Sequence, residues 1–398
     1  MPFFEHVFKF GKEDTSNMGI LALQGARELG KKVDDYLVNW YNTEAEKCGS
    51  ASRVKTFLIA NSCPRFTTGD GKGLIAEPVR GKDIYIIVDV GNYSVEYNMF
   101  GMMHRMSPDD YYADLKRIIA AMGGKAKSIT VVMPMLYGGR QHRRNARESL
   151  DCAQMLQELQ SMGVNEMITF DAHDPRVQNA VPLMGFDNFM PTYQILKALL
   201  EKYPDVNMSK ENFMIVSPDE GAMGRNIYYA SVLGTDLGMF YKRRDYANVV
   251  NGRNPIIAHD YIGNDVSGKD IFVADDIIAT GDSMLKLCVE LKERGADKIF
   301  LSATYALFTE GLQKFRDAYD KGLFTAVVST NLTYATPELL KEEWFVQADM
   351  SKFMAYIMAA CNQGYSISTL LDPHDKIHEL IEAYNKCRPQ QLAIKIEE

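Results

Sequence analysis

Val273-Ala-Asp-Asp-Ile-Ile-Ala-Thr-Gly-Asp-Ser-Met284 is the stretch that decides the fold. An apolar run expected to be a strand over Asp270–Ala274 ends in two carboxylates, Asp275 and Asp276. A short loop rich in Thr, Gly and Ser then enters a helix expected over Ser283–Arg294. Backbone N–H groups and hydroxyls at a helix N-terminus suit a phosphate dianion, so Thr280, Gly281, Asp282 and Ser283 form a candidate anion cradle. The two acids beside it can accept hydrogen bonds from sugar hydroxyls or approach a bound metal. A plain helix cap on Thr280 or Ser283 accounts for the hydroxyls but not for paired acids at a strand end.

The same strand-then-helix order repeats on both sides of this stretch. Further strands are expected at Lys55–Ala60, Ile84–Val90, Ser128–Met133, Met167–Asp171, Phe213–Val216, Gly238–Tyr241, Lys298–Ala303 and Thr325–Ser329. Helical patterns fill the intervals: Ala26–Tyr41, Asp109–Met122, Ala146–Met162, Gln194–Tyr203, Ala222–Leu233 and Glu310–Tyr319. This alternation predicts an α/β chain of mostly parallel sheets with helices on both faces. Pro182–Pro191 (PLMGFDNFMP) interrupts the pattern and is the expected domain junction. In such sheets ligands bind beyond the carboxyl ends of the strands, so chemistry is sought there.

The chain has 398 residues, 46% hydrophobic and 24% charged, with a net charge of −8. These values predict a globular chain of two to three domains and argue against disorder. No apolar run approaches the ~18 residues of a membrane helix, and the N-terminus lacks a signal-peptide pattern. Overall acidity argues against nucleic acid as a partner. The six cysteines are scattered without a C-x-x-C pair, as expected of reduced thiols. A cytoplasmic enzyme with no membrane partner is the expected class.

Four other segments carry chemistry. Tyr137-Gly-Gly-Arg-Gln-His-Arg-Arg144, followed by Arg147, places four arginines within eight residues of an acidic protein, a local anion site. In Thr169-Phe-Asp-Ala-His-Asp174, Asp171 and His173 lie two apart at a strand end and can converge on a cation or a phosphate. Val216-Ser-Pro-Asp-Glu-Gly-Ala-Met-Gly-Arg225 puts Asp219 just after a strand. Tyr241-Lys-Arg-Arg-Asp-Tyr-Ala-Asn-Val249 puts three cations after the next one.

Together these segments resemble the ribose-phosphate pyrophosphokinases, which share the phosphoribosyl-pyrophosphate loop with type I phosphoribosyltransferases. The D-D-x-x-x-T-G-x-S string is common to both; the Arg-Gln, D-x-H, S-P-D-x-G and K-R-R segments separate them. The resemblance implies two phosphoribosyltransferase-like domains, 1–185 and 186–372, with a helical tail over 373–398. It implies Lys242 and Arg244 as catalytic residues that stabilise the transferring group. Arg140, Gln141 and His173 would bind ATP, with Asp171, His173 and Asp219 towards Mg2+. Asp219, Asp275, Asp276 and Thr280–Ser283, with Gly281 and Asp282 between, would bind ribose 5-phosphate. Arg65-Phe-Thr-Thr-Gly-Asp70 resembles the family's R-F-S-D-G-E, which implies that Phe66 stacks on adenine and Asp70 contacts the nucleotide. The implied reaction moves pyrophosphate from ATP to the 1-hydroxyl of ribose 5-phosphate, giving phosphoribosyl pyrophosphate and AMP. The implied assembly is a homo-oligomer built from dimers, up to a hexamer.

The chain also departs from the family pattern. Thr68 stands for an Asp, His142 for an Asp, and Ala279 for the Asp common in these kinases. Excess length falls in residues 1–18, in Tyr93–Lys127, before Thr325 and after Asp372. Three alternatives stay open: another ribose 5-phosphate derivative as acceptor, a phosphoribosyltransferase, and a non-catalytic regulatory homologue. The turn-forming Asn251-Gly-Arg-Asn-Pro255 within Lys242–Gly268 predicts a mobile loop closing over ATP.

Overall fold

The computed structural model describes residues 7–8, 17–144, 147–244 and 256–397. Two compact units divide the chain. The first begins with β1 (Met18–Ala22), α1 (Arg27–Lys47), the short pair β2 (Asn61–Ser62) and β3 (Leu74–Ile75), and β4 (Asp83–Ile87). A hairpin, β5 (Glu96–Met99) and β6 (Met102–Arg105), precedes α2 (Pro108–Met122), β7 (Ser128–Val132), α3 (Asp151–Ser161), β8 (Glu166–Phe170) and β9 (Gly185–Phe189). Its main sheet is wholly parallel, in the order β1-β4-β7-β8-β9.

The second unit contains α4 (Thr192–Lys202), β10 (Phe213–Ser217), α5 (Met223–Leu233), β11 (Asp236–Arg244), β12 (Ile256–Ile262) and β13 (Asp270–Ile278). It continues through α6 (Asp282–Glu293), β14 (Ile299–Ala306), α7 (Gln313–Asp320), β15 (Ala326–Thr330) and β16 (Phe345–Ala348). Its sheet runs β12-β11-β10-β13-β14-β15-β16, with only the β11–β12 pair antiparallel. The chain returns to the first unit with α8 (Ser351–Gln363) and α9 (Ser368–Leu371), then closes the second with α10 (His374–Glu397).

Both faces of the second sheet are covered, which explains its continuous apolar strands. Met214 and Val216 of β10 enter one core with α6 and α7, while Phe213 and Ile215 enter another with α4, α5 and α10. Among the described residues no helix is long and apolar enough to cross a membrane.

Several expectations are corrected here. Pro182–Pro191 is not a bare junction: β9 forms within it and pairs with β8 along the sheet edge. The compact units part after Pro191, and residues 331–334 and 349–372 pack with the first unit, unlike the contiguous spans expected from sequence. Lys55–Ala60 is an extended stretch bridged to Ile20 at Leu58 rather than a full strand. The helix expected over Ala146–Met162 begins at Asp151. α8 escaped notice because ten of its thirteen residues are buried; a helix apolar all round has no 3.6-residue stripe.

Candidate active site

In the second unit, β13 does not stop at Ala274 as expected. It runs through both acids to Ile278, still pairing with β14 as far as Ile278↔Ala306. On its other side, pairing with β10 ends at Ile215↔Phe272. The chain leads from β10 outward to β11, and from β13 the opposite way to β14, so the β10/β13 gap is the switch point where open α/β sheets take ligands. Asp219 follows β10 there, Asp275 and Asp276 lie on β13 beyond its pairing with β10, and the Thr280–Ser283 loop follows β13.

The acids interact. Burial first, and Asp276 next, hold the Asp275 carboxyl above the usual aspartate range; Asp219 pushes the same way and Arg225 opposes. Arg225 Nη1 lies 3.5 Å from Asp275 Oδ1. The Asp276 amide donates to Asp275 Oδ1 at 2.9 Å, and Asp219 Oδ1 accepts from the Ala222 amide at 3.2 Å. Crowded carboxylates of this kind are well suited to accept hydrogen bonds from vicinal hydroxyls.

The loop itself is shaped by Gly281. Its φ of +83° is left-handed, and a Cβ there would meet the Phe315 ring at 2.3 Å, so only glycine fits. Gly281, rather than Thr280 or Ser283, is the N-cap of α6, and it makes no side-chain cap. Thr280 Oγ1 accepts from the Asp282 amide at 3.4 Å. The Asp282 carboxylate is held by Lys314 at 2.8 Å, which offsets its charge beside the candidate anion cradle. Ser283 is exposed and Thr280 half-buried.

Lys242 and Arg244 lie on β11, in register with His259 and Ile256 of β12, with an irregularity between Arg243 and Arg244. Their side chains, and the 251–255 turn expected to be mobile, lie outside the described residues.

In the first unit, two motifs meet. The His142 ring sits 5.3 Å from the His173 ring, and His142 Nε2 is 3.6 Å from Asp174 Oδ2. The Arg140–Gln141 segment and the Asp171–His173 segment therefore share one strand-end surface, at β7 and β8. Burial, chiefly, lowers the basicity of His142. Hydrogen bonds from Arg176 hold Asp174 down at about 2. Asp171 is buried, with a left-handed φ of +46° and its amide bonded to the Phe189 carbonyl at 2.9 Å. Non-glycine residues held there store strain, which clusters at functional sites. Arg140 and Gln141 are exposed.

The Phe66 ring is 55% exposed, with Lys72 Nζ 5.9 Å from its centroid. The loop is closed by the Phe66 amide donating to the Asp70 carbonyl at 2.7 Å. Thr68, at the position expected to be Asp, donates its hydroxyl to Asp70 Oδ2 at 2.8 Å. Asp70 is exposed and available to a ligand. Behind the loop, Arg65 grips Asp114 of α2 with two nitrogens, at 2.6 and 3.0 Å.

Comparison with known proteins agrees with both halves. Residues 18–163 match the N-terminal domain of ribose phosphate pyrophosphokinase, and residues 187–340 match the phosphoribosyl transferase domain. A ribose-phosphate pyrophosphokinase of Shewanella oneidensis is 30% identical over 77% of this chain and 89% of its own. The chain belongs to the ribose-phosphate pyrophosphokinase family. Another family member, from Lactococcus lactis, is 28% identical over 90% of this chain and 97% of its own. The phosphoribosylpyrophosphate synthetase structure from Mycobacterium smegmatis shares the fold, with a TM-score of 0.67, 20% identity, and coverage of 88% of this chain and 100% of that one.

As a ribose-phosphate pyrophosphokinase the chain is a transferase of nucleotide biosynthesis built from two phosphoribosyltransferase-like domains. Arg225 carries no signal in the sequence beyond its place in the S-P-D-x-G segment; only the fold brings it to Asp275. The role of Tyr137 is likewise visible only in the fold: its ring stacks on Tyr112 at 4.6 Å and its hydroxyl donates to Asp109 at 2.6 Å, anchoring the start of the Arg140–Gln141 segment. Among the described residues no group of three or more His, Cys, Asp or Glu side chains could hold a metal unaided. The carboxylates of Asp171 and Asp219 are oxygen donors of the kind Mg2+ takes, one or two carboxylates beside substrate phosphates and water.

Proposed function

We propose that this pyrophosphokinase transfers the β,γ-pyrophosphoryl group of ATP to the 1-hydroxyl of ribose 5-phosphate, releasing AMP and phosphoribosyl pyrophosphate. The observation that carries the acceptor half is the pairing of crowded acids with a glycine-shaped helix N-terminus at one switch point. Thr280, Gly281, Asp282 and Ser283 hold the 5-phosphate through backbone N–H groups and hydroxyls. Asp275 and Asp276 accept from the ribose hydroxyls, with Asp219 towards the metal-linked side. Arg140, Gln141 and His173 bind the nucleotide phosphates; Phe66 and Asp70 take the base and ribose of ATP.

Asp171 and His173 in the first unit and, separately, Asp219 in the second are the side chains proposed to approach Mg2+, whose charge would neutralise the triphosphate. Lys242 and Arg244 are assigned to the charge developing on the bridging and equatorial oxygens, on their motif. Phosphoryl transfer leaves little covalent work for a protein, so positioning and charge dominate. Removing one preorganised donor typically lowers turnover ~10²–10³-fold. The enzyme is proposed to act in the cytoplasm as a homo-oligomer built from dimers. Phe100, Met102 and Met103, exposed by 73, 60 and 62% on the β5–β6 hairpin, support association.

The test is AMP release from ATP with a panel of ribose phosphates and free nucleobases, with and without Mg2+ and inorganic phosphate. Mg2+-dependent AMP release with ribose 5-phosphate is expected. No release with it, or release only with a larger acceptor, rejects this reading, as does base-dependent release of pyrophosphate from phosphoribosyl pyrophosphate. Lys242→Ala and Arg244→Ala should each lose most turnover; near wild-type rates would remove the role assigned to that residue.

A further inference from the structure

Asn226 of α5 has no solvent exposure and forms a set of bonds that spans the acceptor half of the site. Its Oδ1 accepts from the Ala274 amide at 3.2 Å, and its Nδ2 donates to the Ala274 carbonyl at 2.8 Å. Nδ2 also lies 2.8 Å from the Ala222 carbonyl and 3.3 Å from Ser217 Oγ. Ser217 Oγ in turn donates to the Asp219 carbonyl at 2.8 Å.

The position of this amide explains its use. The β10–β13 ladder stops at Ile215↔Phe272, while β10 runs on along β11 to Ser217 before the Pro218–Asp219 turn. On its β10 side Ala274 would then present a buried N–H and a buried C=O to no strand residue, and each such group is costly if left unpaired. A side-chain amide has the donor and acceptor of a peptide group. Asn226 thus stands in for the missing strand residue, letting β10 and β13 part while holding both.

We propose that Asn226 is a positioning residue for sugar-phosphate binding: it fixes the spacing between the Asp219 turn and the Asp275–Asp276 pair. Its neighbour Arg225 acts on the Asp275 carboxylate itself, 3.5 Å away, so consecutive residues of one helix set the place and the charge of that acid. The inference rests on the ribose 5-phosphate reading of this site.

Steady-state kinetics of the full chain test it, with ATP and ribose 5-phosphate varied separately. Asn226→Ala and the milder Asn226→Ser should raise KM for ribose 5-phosphate about tenfold, the equivalent of one lost buried hydrogen bond of about 1.4 kcal/mol. KM for ATP should move less than about twofold. A merely structural role would lower the fraction of active enzyme with both KM values intact, and that result overturns the proposal, as does an equal rise in both. Should neither variant fold, hydrogen exchange of the wild-type chain decides. The Ala274 amide should be protected like its ladder neighbours Phe272 and Val273 and gain protection with ribose 5-phosphate. Exchange at the rate of an open loop, indifferent to the sugar phosphate, overturns it. If the wild-type chain itself releases no AMP with ribose 5-phosphate, the functional reading fails first; a wild-type rate with indifferent Asn226 variants rejects this inference alone.

Discussion

Arg225 stands 3.5 Å from an aspartate that burial and two neighbouring acids push toward its neutral form. If Asp275 must be ionised to accept from a sugar hydroxyl, activity falls as pH drops through its raised pKa. Removing the opposing cation raises that pKa further, because only Arg225 among the named charges favours the anion. Arg225→Gln should therefore move the acidic limb of the kcat/KM profile for ribose 5-phosphate to higher pH; superimposable profiles would dismiss the assignment. At this scale the sequence was readable wherever residue type alone limits the chemistry. Gly281 is such a case: its left-handed φ and its approach to Phe315 leave room for no side chain, and the T-G-D-S spelling already pointed to a tight turn. Arg225 and Asn226 were not readable as functional, since an arginine and an asparagine on a helix acquire meaning only from what they face.

Among the elements, α2 connects the stretch of least obvious purpose to the Phe66–Asp70 loop. Asp114 of α2 receives Arg65 at 2.6 Å and Arg117 at 2.7 Å, and the Arg65 and Asp114 side chains are only 6 and 5% exposed. The hairpin before α2 ties in as well, with the Phe100 amide bonded to the Thr67 carbonyl at 2.9 Å. Residues 93–127 thus form a support behind the Phe66–Asp70 loop. Asp114→Ala would strand a buried guanidinium, and a loss of about 3–5 kcal/mol of stability is expected from chemical denaturation. A loss below about 1 kcal/mol would show the loop to be held by other contacts. Elements with a clear period were legible, α2 among them: its Ser107 capping box and Pro108 match the expected start within a residue or two. β9 was not, because Gly185-Phe-Asp-Asn-Phe189 carries polar residues tolerated only at a sheet edge. Nor was α8, whose burial on every side erased its periodicity.

On the scale of the molecule, the chain passes repeatedly between its two units, and residues 331–334 belong to the first. They are held there by Asp89, which follows β4. Its carboxylate accepts from Thr333 Oγ1 at 3.0 Å, the Tyr334 amide at 3.1 Å and the Gly91 amide at 2.9 Å. Burial outweighs these donors and pushes the Asp89 carboxyl up to about 7 from an ordinary 3.8. A carboxyl more basic in the folded state stabilises the fold fully below the unfolded value, near pH 4, and that contribution is lost as pH rises through about 7. Denaturation of wild type and Asp89→Asn across pH 4–8 should show a decline in the former that is reduced in the latter; parallel curves would remove Asp89 from the account. The α/β class and the family were determined by sequence alone, because periodicity, glycine placement and the spacing of charged residues are local properties. The switch point at β10 and β13, the acids brought against Arg225, the amide standing in for a strand, and the return of residues 331–334 and 349–372 to the first unit were decided by tertiary structure. Each joins residues tens to hundreds of positions apart, and burial, which sets the charge and cost of every such contact, exists only once the chain has folded.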